Sequence, residues 1–463
     1  IERGMYVKKY EMDMCSGSIL KKMLMFTLPL MLSSILQLLF NAADIVVVGR
    51  FAGDNSLAAV GSTTALINLL TNLFVGLSIG ANVTAARNYG GKREDALSRT
   101  VHTAVTISII SGVILTVIGV VGTKEMLRLM STPDEIIDLA ADYLRIYFAG
   151  ITATTIYNFG SALLRAIGDT KRPLYYLLAA GAVNVVLNLL FVIVFKMDVS
   201  GVALATIISE SLSAFLVIRC LMRETGAIKL ELKKLRVHKA ELISIIRIGL
   251  PAGFQGIVFA LSNVVIQSSV NLFGNIVVAG NSAAANIEGF VYMAMNSFYQ
   301  ATLSFMSQNF GAGEYKRLNK ILACGELCVV AVGLVLGNAA VLFGNQLLSI
   351  YSDSPEVIAA GMVRLHYISK VYFLCGIMDV LVGALRGIGY SVLPMVVSLL
   401  GACGLRLLWI ATVFQIPQFH KVEVVYLSYA ITWIITAGVH FLCYVIVRKK
   451  VTKKYEQGTP ANT

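Results

Sequence analysis

The stretch Leu24–Arg50, LMFTLPLMLSSILQLLFNAADIVVVGR, is apolar for the length of a bilayer crossing, yet it carries Pro29 near its start and Asp44 near its end. A transmembrane helix needs about 20 predominantly apolar residues. Gln37, Asn41 and Asp44 stand at i, i+4 and i+7, so a helix gathers them into one polar stripe. On insertion scales a charge at the bilayer centre costs about 2.5 to 3.5 kcal/mol, so such a stripe turns toward a protein interior or a water-filled cavity. Asp44 is therefore the first candidate for a transport site.

The rest of the chain extends this pattern. It has 463 residues, of which 57% are hydrophobic and 14% charged, against about 25% charged in ordinary globular proteins. The charges cluster between apolar runs, which predicts an all-α polytopic membrane protein with twelve spans; barrel-type alternation is absent. The formal net charge of +12 comes from basic clusters at span ends, which points to membrane topology rather than nucleic acid. Lys and Arg accumulate in alternate loops, including Arg87, Lys92, Arg93 and Arg99, then Lys171 and Arg172, then Lys229, Lys233 and Lys234. By the positive-inside rule both termini are expected to be cytoplasmic. The polar, basic N-terminal stretch lacks the apolar core of a signal peptide. The seven cysteines are odd in number, scattered and mostly inside apolar runs, so they read as packing residues.

The chain repeats itself. Ala162–Pro173, ALLRAIGDTKRP, recurs 221 residues later as Gly383–Pro394, GALRGIGYSVLP. At the same offset Asn88-Tyr89-Gly90 meets Asn309-Phe310-Gly311, and Ser131 meets Ser352. Six spans per copy make the repeats parallel, related by an axis along the membrane normal. The expected organisation is a cytoplasmic N-terminal segment at 1–23, an N-lobe at 24–222, a basic linker at 223–242, a C-lobe at 243–447 and a basic tail at 448–463.

Polar residues inside the spans mark candidate sites. In the N-lobe they include Gln37, Asn41, Asp44, Asn68, Asn158, Asn184, Asn188 and Thr206, with Asn184 and Asn188 one turn apart. A carboxylate among amide oxygens and a hydroxyl suits Na⁺ or an exchanging proton. The ordinary alternative for each asparagine is a hydrogen bond between helices. The C-lobe differs. Asn263 corresponds to Asn41, but the position opposite Asp44 is apolar; its intramembrane charges are Glu288, Asp379 and Arg406. Asp379 and Arg406 either pair structurally, or Asp379 or Glu288 meets a cationic substrate beside Tyr292 and its aromatic and methionine neighbours.

The stretch around Pro29 and Asp44, the loop ALLRAIG and its copy GALRGIG, and the two Asn-aromatic-Gly loops resemble the multidrug and toxic compound extrusion (MATE) family, within the wider multidrug/oligosaccharide-lipid/polysaccharide exporter superfamily. The resemblance covers about residues 20 to 450. It implies a V-shaped pair of six-helix lobes and export of organic cations or other amphipathic compounds in exchange for Na⁺ or H⁺. It places the coupling site at Asp44, Asn158, Asn184, Asn188 and Thr206, with Pro29 as the bending point of the first helix. Asn188 departs from the pattern, since many such relatives have aspartate there, which leaves Asp44 as the expected principal charge and favours H⁺. Phe259 and Ala260 stand where another branch has a glutamate, so no C-lobe Na⁺ site is implied.

The function expected from all this is secondary antiport by a monomer in the cell membrane, with no cofactor beyond the coupling ion and no nucleic-acid partner. A lipid-linked oligosaccharide flippase of the same superfamily is the alternative; its phosphate-bearing cargo calls for a cationic cavity, for which Arg406 is the main candidate. An enzyme is not expected, because the five histidines show neither metal spacing nor a nucleophile partner.

Overall fold

A computed structural model describes residues 10–130 and 132–456. Ser131 and the chain ends at 1–9 and 457–463, which hold part of the expected N-terminal segment and basic tail, lie outside the described residues. The described chain is helical throughout. Its long rods are α1 (Ile19–Phe51), α2 (Asp54–Gly90), α3 (Glu94–Leu129), α4 (Asp134–Ala166), α5 (Lys171–Val194), α6 (Asp198–Arg223), α7 (Lys239–Asn271), α8 (Asn275–Gly311) and α9 (Tyr315–Leu342). They continue with α10 (Pro355–Val371 and Phe373–Gly387, bent by 44°), α11 (Val392–Gln415) and α12 (Val422–Glu456).

Among the described residues, nine of these rods are each long and apolar enough to cross a bilayer, and the bent α10 makes a tenth. The other two, α4 and α8, carry more polar side chains, among them Asp134, Glu135 and Asp138 on α4 and Asn275, Asn281 and Asn286 on α8. All-helical spanning follows from the solvent: hydrocarbon offers no hydrogen-bond partners, so each segment must satisfy its backbone internally.

The repeat reappears in backbone conformation. Gly53 and Gly274, each just before a long helix, have φ of 92° and 87°; Gly168 and Gly389, in the ALLRAIG and GALRGIG loops, have 90° and 95°. That left-handed region is open to glycine and strained for other residues, so the repeated loops require glycine at these points. After Gly168, Asp169 caps the start of α5, accepting from the amides of Lys171 and Arg172 at 3.1 Å, while its carboxylate also pairs with the Arg172 guanidinium.

The chain divides into two compact units: residues 10–14 with 28–253, and residues 15–27 with 254–456. The divisions fall inside α1 and α7, beside Pro29 and Pro251, so each of these helices contributes residues to both units. Both prolines lie within otherwise continuous helix. Proline removes one backbone donor and crowds the preceding turn, which makes it the natural point for a helix to bend.

In the first unit the opening half of α7 lies directly on α2. A Cβ on Gly76 would fall 2.2 Å from the Gly253 nitrogen, and one on Gly80 would fall 2.1 Å from the Ile245 carbonyl oxygen. Gly249 meets Leu77 in the same way, at 2.6 Å from its Cα. Two Gly-xxx-Gly ridges thus cross with their backbones in contact, the packing that small residues permit in lipid, where no hydrophobic force drives helices together.

Candidate functional site

The site in the first unit is built from α1, α4, α5 and α6. Asp44 is half-buried on the far half of α1. The Asn188 side-chain amide donates to Asp44 Oδ1 and also to Asn184 Oδ1, at 3.2 Å in the second case. Asn184 and Asn188 are 5% and 1% exposed, so both amides of this pair are held out of the lipid. The Thr206 hydroxyl lies beside the Asp44 carboxylate and also reaches the Val202 carbonyl at 3.0 Å. Two residues after Asn188 the helix widens into a π turn over Leu190–Val194; such turns interrupt regular packing and recur at functional sites. α1 reaches α5 closely enough that a Cβ on Gly181 would overlap the Phe40 ring.

Of the residues expected around the ion, Asp44, Asn184, Asn188 and Thr206 are brought together. Asn158 is partly buried on α4 and, among the described residues, makes no side-chain hydrogen bond to this group. Gln37, Asn41 and Asn68 are exposed on the same unit.

Sequence reasoning missed Glu210. It lies on α6, one turn beyond Thr206, close enough to Asp44 for the two charges to repel, and it accepts a hydrogen bond from the Thr154 hydroxyl of α4. Tyr143 on α4 lies within electrostatic range of both carboxyls, and its ring stacks on Tyr147 with centroids 6.2 Å apart. The i to i+4 spacing of Thr206 and Glu210 was the available signal. Asp44 is therefore not the sole acid of this pocket, and the departure at Asn188 is accompanied by a carboxylate from another helix.

The second unit holds a different polar centre. Glu288, 3% exposed, is not a free acid: Arg364 from α10 clasps it, with Nη2 at 2.7 Å and Nε at 3.1 Å from Oε2. The same guanidinium donates to Asn281 at 2.7 Å, and Asn281 also accepts from Tyr426. Asp379 takes the Tyr292 hydroxyl and lies within electrostatic range of Arg386. Of the two readings open for Asp379, the structural pair with Arg406 is absent among the described residues. Arg406 instead lies 3.9 Å over the Tyr429 ring and donates to Thr432, a stacking that the planar guanidinium favours. Arg386 is fixed by Tyr299 and Gln255, both at 2.8 Å. Tyr292, Tyr372 and Trp433 form a stacked aromatic row, with centroids 6.4 and 5.4 Å apart.

The linker after α6 is tied to α3. The Glu231 amide donates to His102 Nε2 at 3.1 Å while His102 Nδ1 meets the Ser98 carbonyl at 2.7 Å, an arrangement that suits the neutral Nδ1–H tautomer. Arg99 pairs with Glu241 at 2.7 Å. A cavity of about 380 Å³ opens here, lined by Asp95, Arg99, His102, Lys234, Arg236 and His238, and it contains none of the intramembrane acids.

Comparison with known proteins places these features in a family. The MatE family profile matches residues 29–190 and 251–412, so each match begins at one of the two helix prolines. The Bacillus subtilis (strain 168) protein named "Probable multidrug resistance protein YoeA" is 29% identical over 444 residues, covering 94% of this chain and 95% of that protein. A second Bacillus subtilis (strain 168) protein, "Probable multidrug resistance protein YpnP", is 28% identical and covers 85% of this chain and 88% of its own. A solved structure described as the outward-facing conformation of a multidrug resistance MATE family transporter superposes with a TM-score of 0.90 at 21% identity, over 96% of this chain and 99% of that one, a likeness of fold.

Proposed function

The chain belongs to the MatE family, and from that premise we propose that it is a multidrug exporter that moves amphipathic or cationic small molecules outward in exchange for H⁺ or Na⁺ taken up at Asp44. The observation that carries this reading is the Asp44 carboxylate held by the Asn188 amide inside a membrane-spanning unit. The names of the Bacillus subtilis relatives support a drug-like cargo and a transporter rather than an enzyme.

The mechanism follows from charge. Empty, the Asp44 carboxylate gathers donors from α5 and α6 and ties α1 to them. A proton or Na⁺ arriving from outside cancels that charge, weakens the charge-assisted bond from Asn188 and releases the polar stripe of α1 to repack. Pro29 gives α1 its place to bend. A membrane potential of about 100 mV contributes roughly 2.3 kcal/mol per charge moved inward, equivalent to a substrate gradient of tens-fold. Both termini are cytoplasmic in this scheme, the protein acts as a monomer in the cell membrane, and no cofactor takes part.

The test is efflux of a fluorescent organic cation from proteoliposomes. Asp44→Asn loses gradient-driven efflux if the scheme holds, and efflux at the wild-type rate removes Asp44 from the mechanism.

A further inference from the structure

We propose that Glu210 is a second ion-coupling carboxyl, acting with Asp44 as one titrating pair that binds the driving cation in common. The inference rests on the antiport reading above and adds a residue to it. Three observations carry it.

The first is placement. Asp44 on α1 and Glu210 on α6 lie within repulsive range of each other, with Thr206 beside Asp44 and one turn before Glu210. Tyr143 of α4 lies within electrostatic range of both acids, and Tyr147 and Tyr157 within range of Glu210, which accepts from the Thr154 hydroxyl; Asp44 accepts from the Asn188 amide, which is also bonded to Asn184. The second is uncompensated charge. Among the described residues neither Asp44 nor Glu210 has a lysine, arginine or histidine nitrogen within ion-pair distance, whereas Glu288 in the other unit is clasped by Arg364. Two carboxylates inside a bilayer with neutral hydrogen-bond donors but no opposing charge are costly, which favours a bound proton or metal cation at the pair. The third is an orphan acceptor. Asn188 is 1% exposed and spends its amide hydrogens on Asp44 and Asn184, while its own Oδ1 is buried with no partner. A buried carbonyl oxygen without a donor costs about 1 to 3 kcal/mol, and a cation or protonated carboxyl beside it supplies what it lacks.

A coupled pair titrates as a unit, and removing one member changes how tightly the other holds its cation. Glu210→Gln keeps the acceptor for Thr154 but deletes one negative charge. In proteoliposomes driven separately by pH and Na⁺ gradients, the concentration of driving cation giving half-maximal efflux is expected to rise about tenfold, and Glu210→Asp to restore most of it. Wild-type half-saturation in Glu210→Gln overturns the proposal. Should that variant not fold, the wild-type chain answers alone. A membrane-soluble carbodiimide reacts with protonated carboxyls, so its labelling of Glu210, mapped by mass spectrometry, is expected to fall as pH rises and the pair ionises. Labelling that is flat with pH, whether complete or absent, marks a static residue and overturns the proposal. The two readings fail separately: coupled efflux that survives Asp44→Asn removes the antiport site, whereas an inactive Asp44→Asn beside an unaltered Glu210→Gln removes only the pair.

Discussion

Replacing Gly80 with alanine adds one methyl group where α2 and α7 touch. That Cβ would stand 2.1 Å from the Ile245 carbonyl oxygen and 2.9 Å from the Gly249 nitrogen, where ordinary contact begins at 3.4 Å. The obstacles are backbone atoms and have no rotamer to adopt, so the helices must separate by more than about 1 Å, and overpacking of this kind typically costs about 1 to 3 kcal/mol. Alanine also gains roughly 0.5 to 1 kcal/mol of helix propensity over glycine, which offsets part of the loss. Gly289 on α8 supplies the control, because a Cβ there meets nothing within 4 Å, leaving the propensity gain alone. The two variants are therefore expected to differ in stability by about 2 kcal/mol. Thermal unfolding of the purified protein in detergent reads this directly. Gly80→Ala should melt below the wild type and Gly289→Ala at or above it. A Gly80→Ala protein as stable as wild type would refute the backbone-contact description of the crossing.

Two further perturbations separate structural from functional polar groups. Breaking the buried Glu288–Arg364 pair from one side, by Glu288→Gln or Arg364→Met, is expected to destabilise the protein by about 3 to 5 kcal/mol; replacing both partners with apolar residues should recover most of that. Recovery of efflux along with stability would confine the pair to a structural role, and full stability in either single variant would contradict the pairing. Asn188→Leu deletes the amide donor to Asp44, a charge-assisted bond worth about 1.5 to 3 kcal/mol, so half-saturation by the driving cation should shift about tenfold or more. An unchanged value would detach Asn188 from the ion site.

Much of the architecture was legible in the sequence because membrane spans announce themselves by length and apolarity, and because one offset related three loops. Gly168 and Gly389 are the clearest case: the loop motifs matched as text, and the backbone angles match as structure. Asp44 was legible too, since an acid inside an apolar run stands out, whereas Gln37 and Asn41 of the same stripe are exposed. Partners on other helices were not. Glu288 looked available to a substrate until α10 delivered Arg364 to it from 76 residues away. Glu210 was hidden for the same reason, as its neighbourhood depends on how α6 is rotated toward α1 and α4. The division of α1 and α7 between the two units depends on packing at Pro29 and Pro251 and leaves no periodicity to read. Arg406 shows how one residue type hides two outcomes: a guanidinium can pair with an acid or stack on an aromatic ring, and the position of Tyr429 decided it.

Coupling in this scheme depends first on Asp44. Purified wild-type protein and Asp44→Asn, reconstituted side by side, should be loaded with a fluorescent organic cation and exposed separately to an inward pH gradient and an inward Na⁺ gradient. Wild-type efflux is expected to follow at least one of the two gradients, with Asp44→Asn at the protein-free leak rate under both. Gradient-driven efflux by Asp44→Asn at the wild-type rate would contradict it.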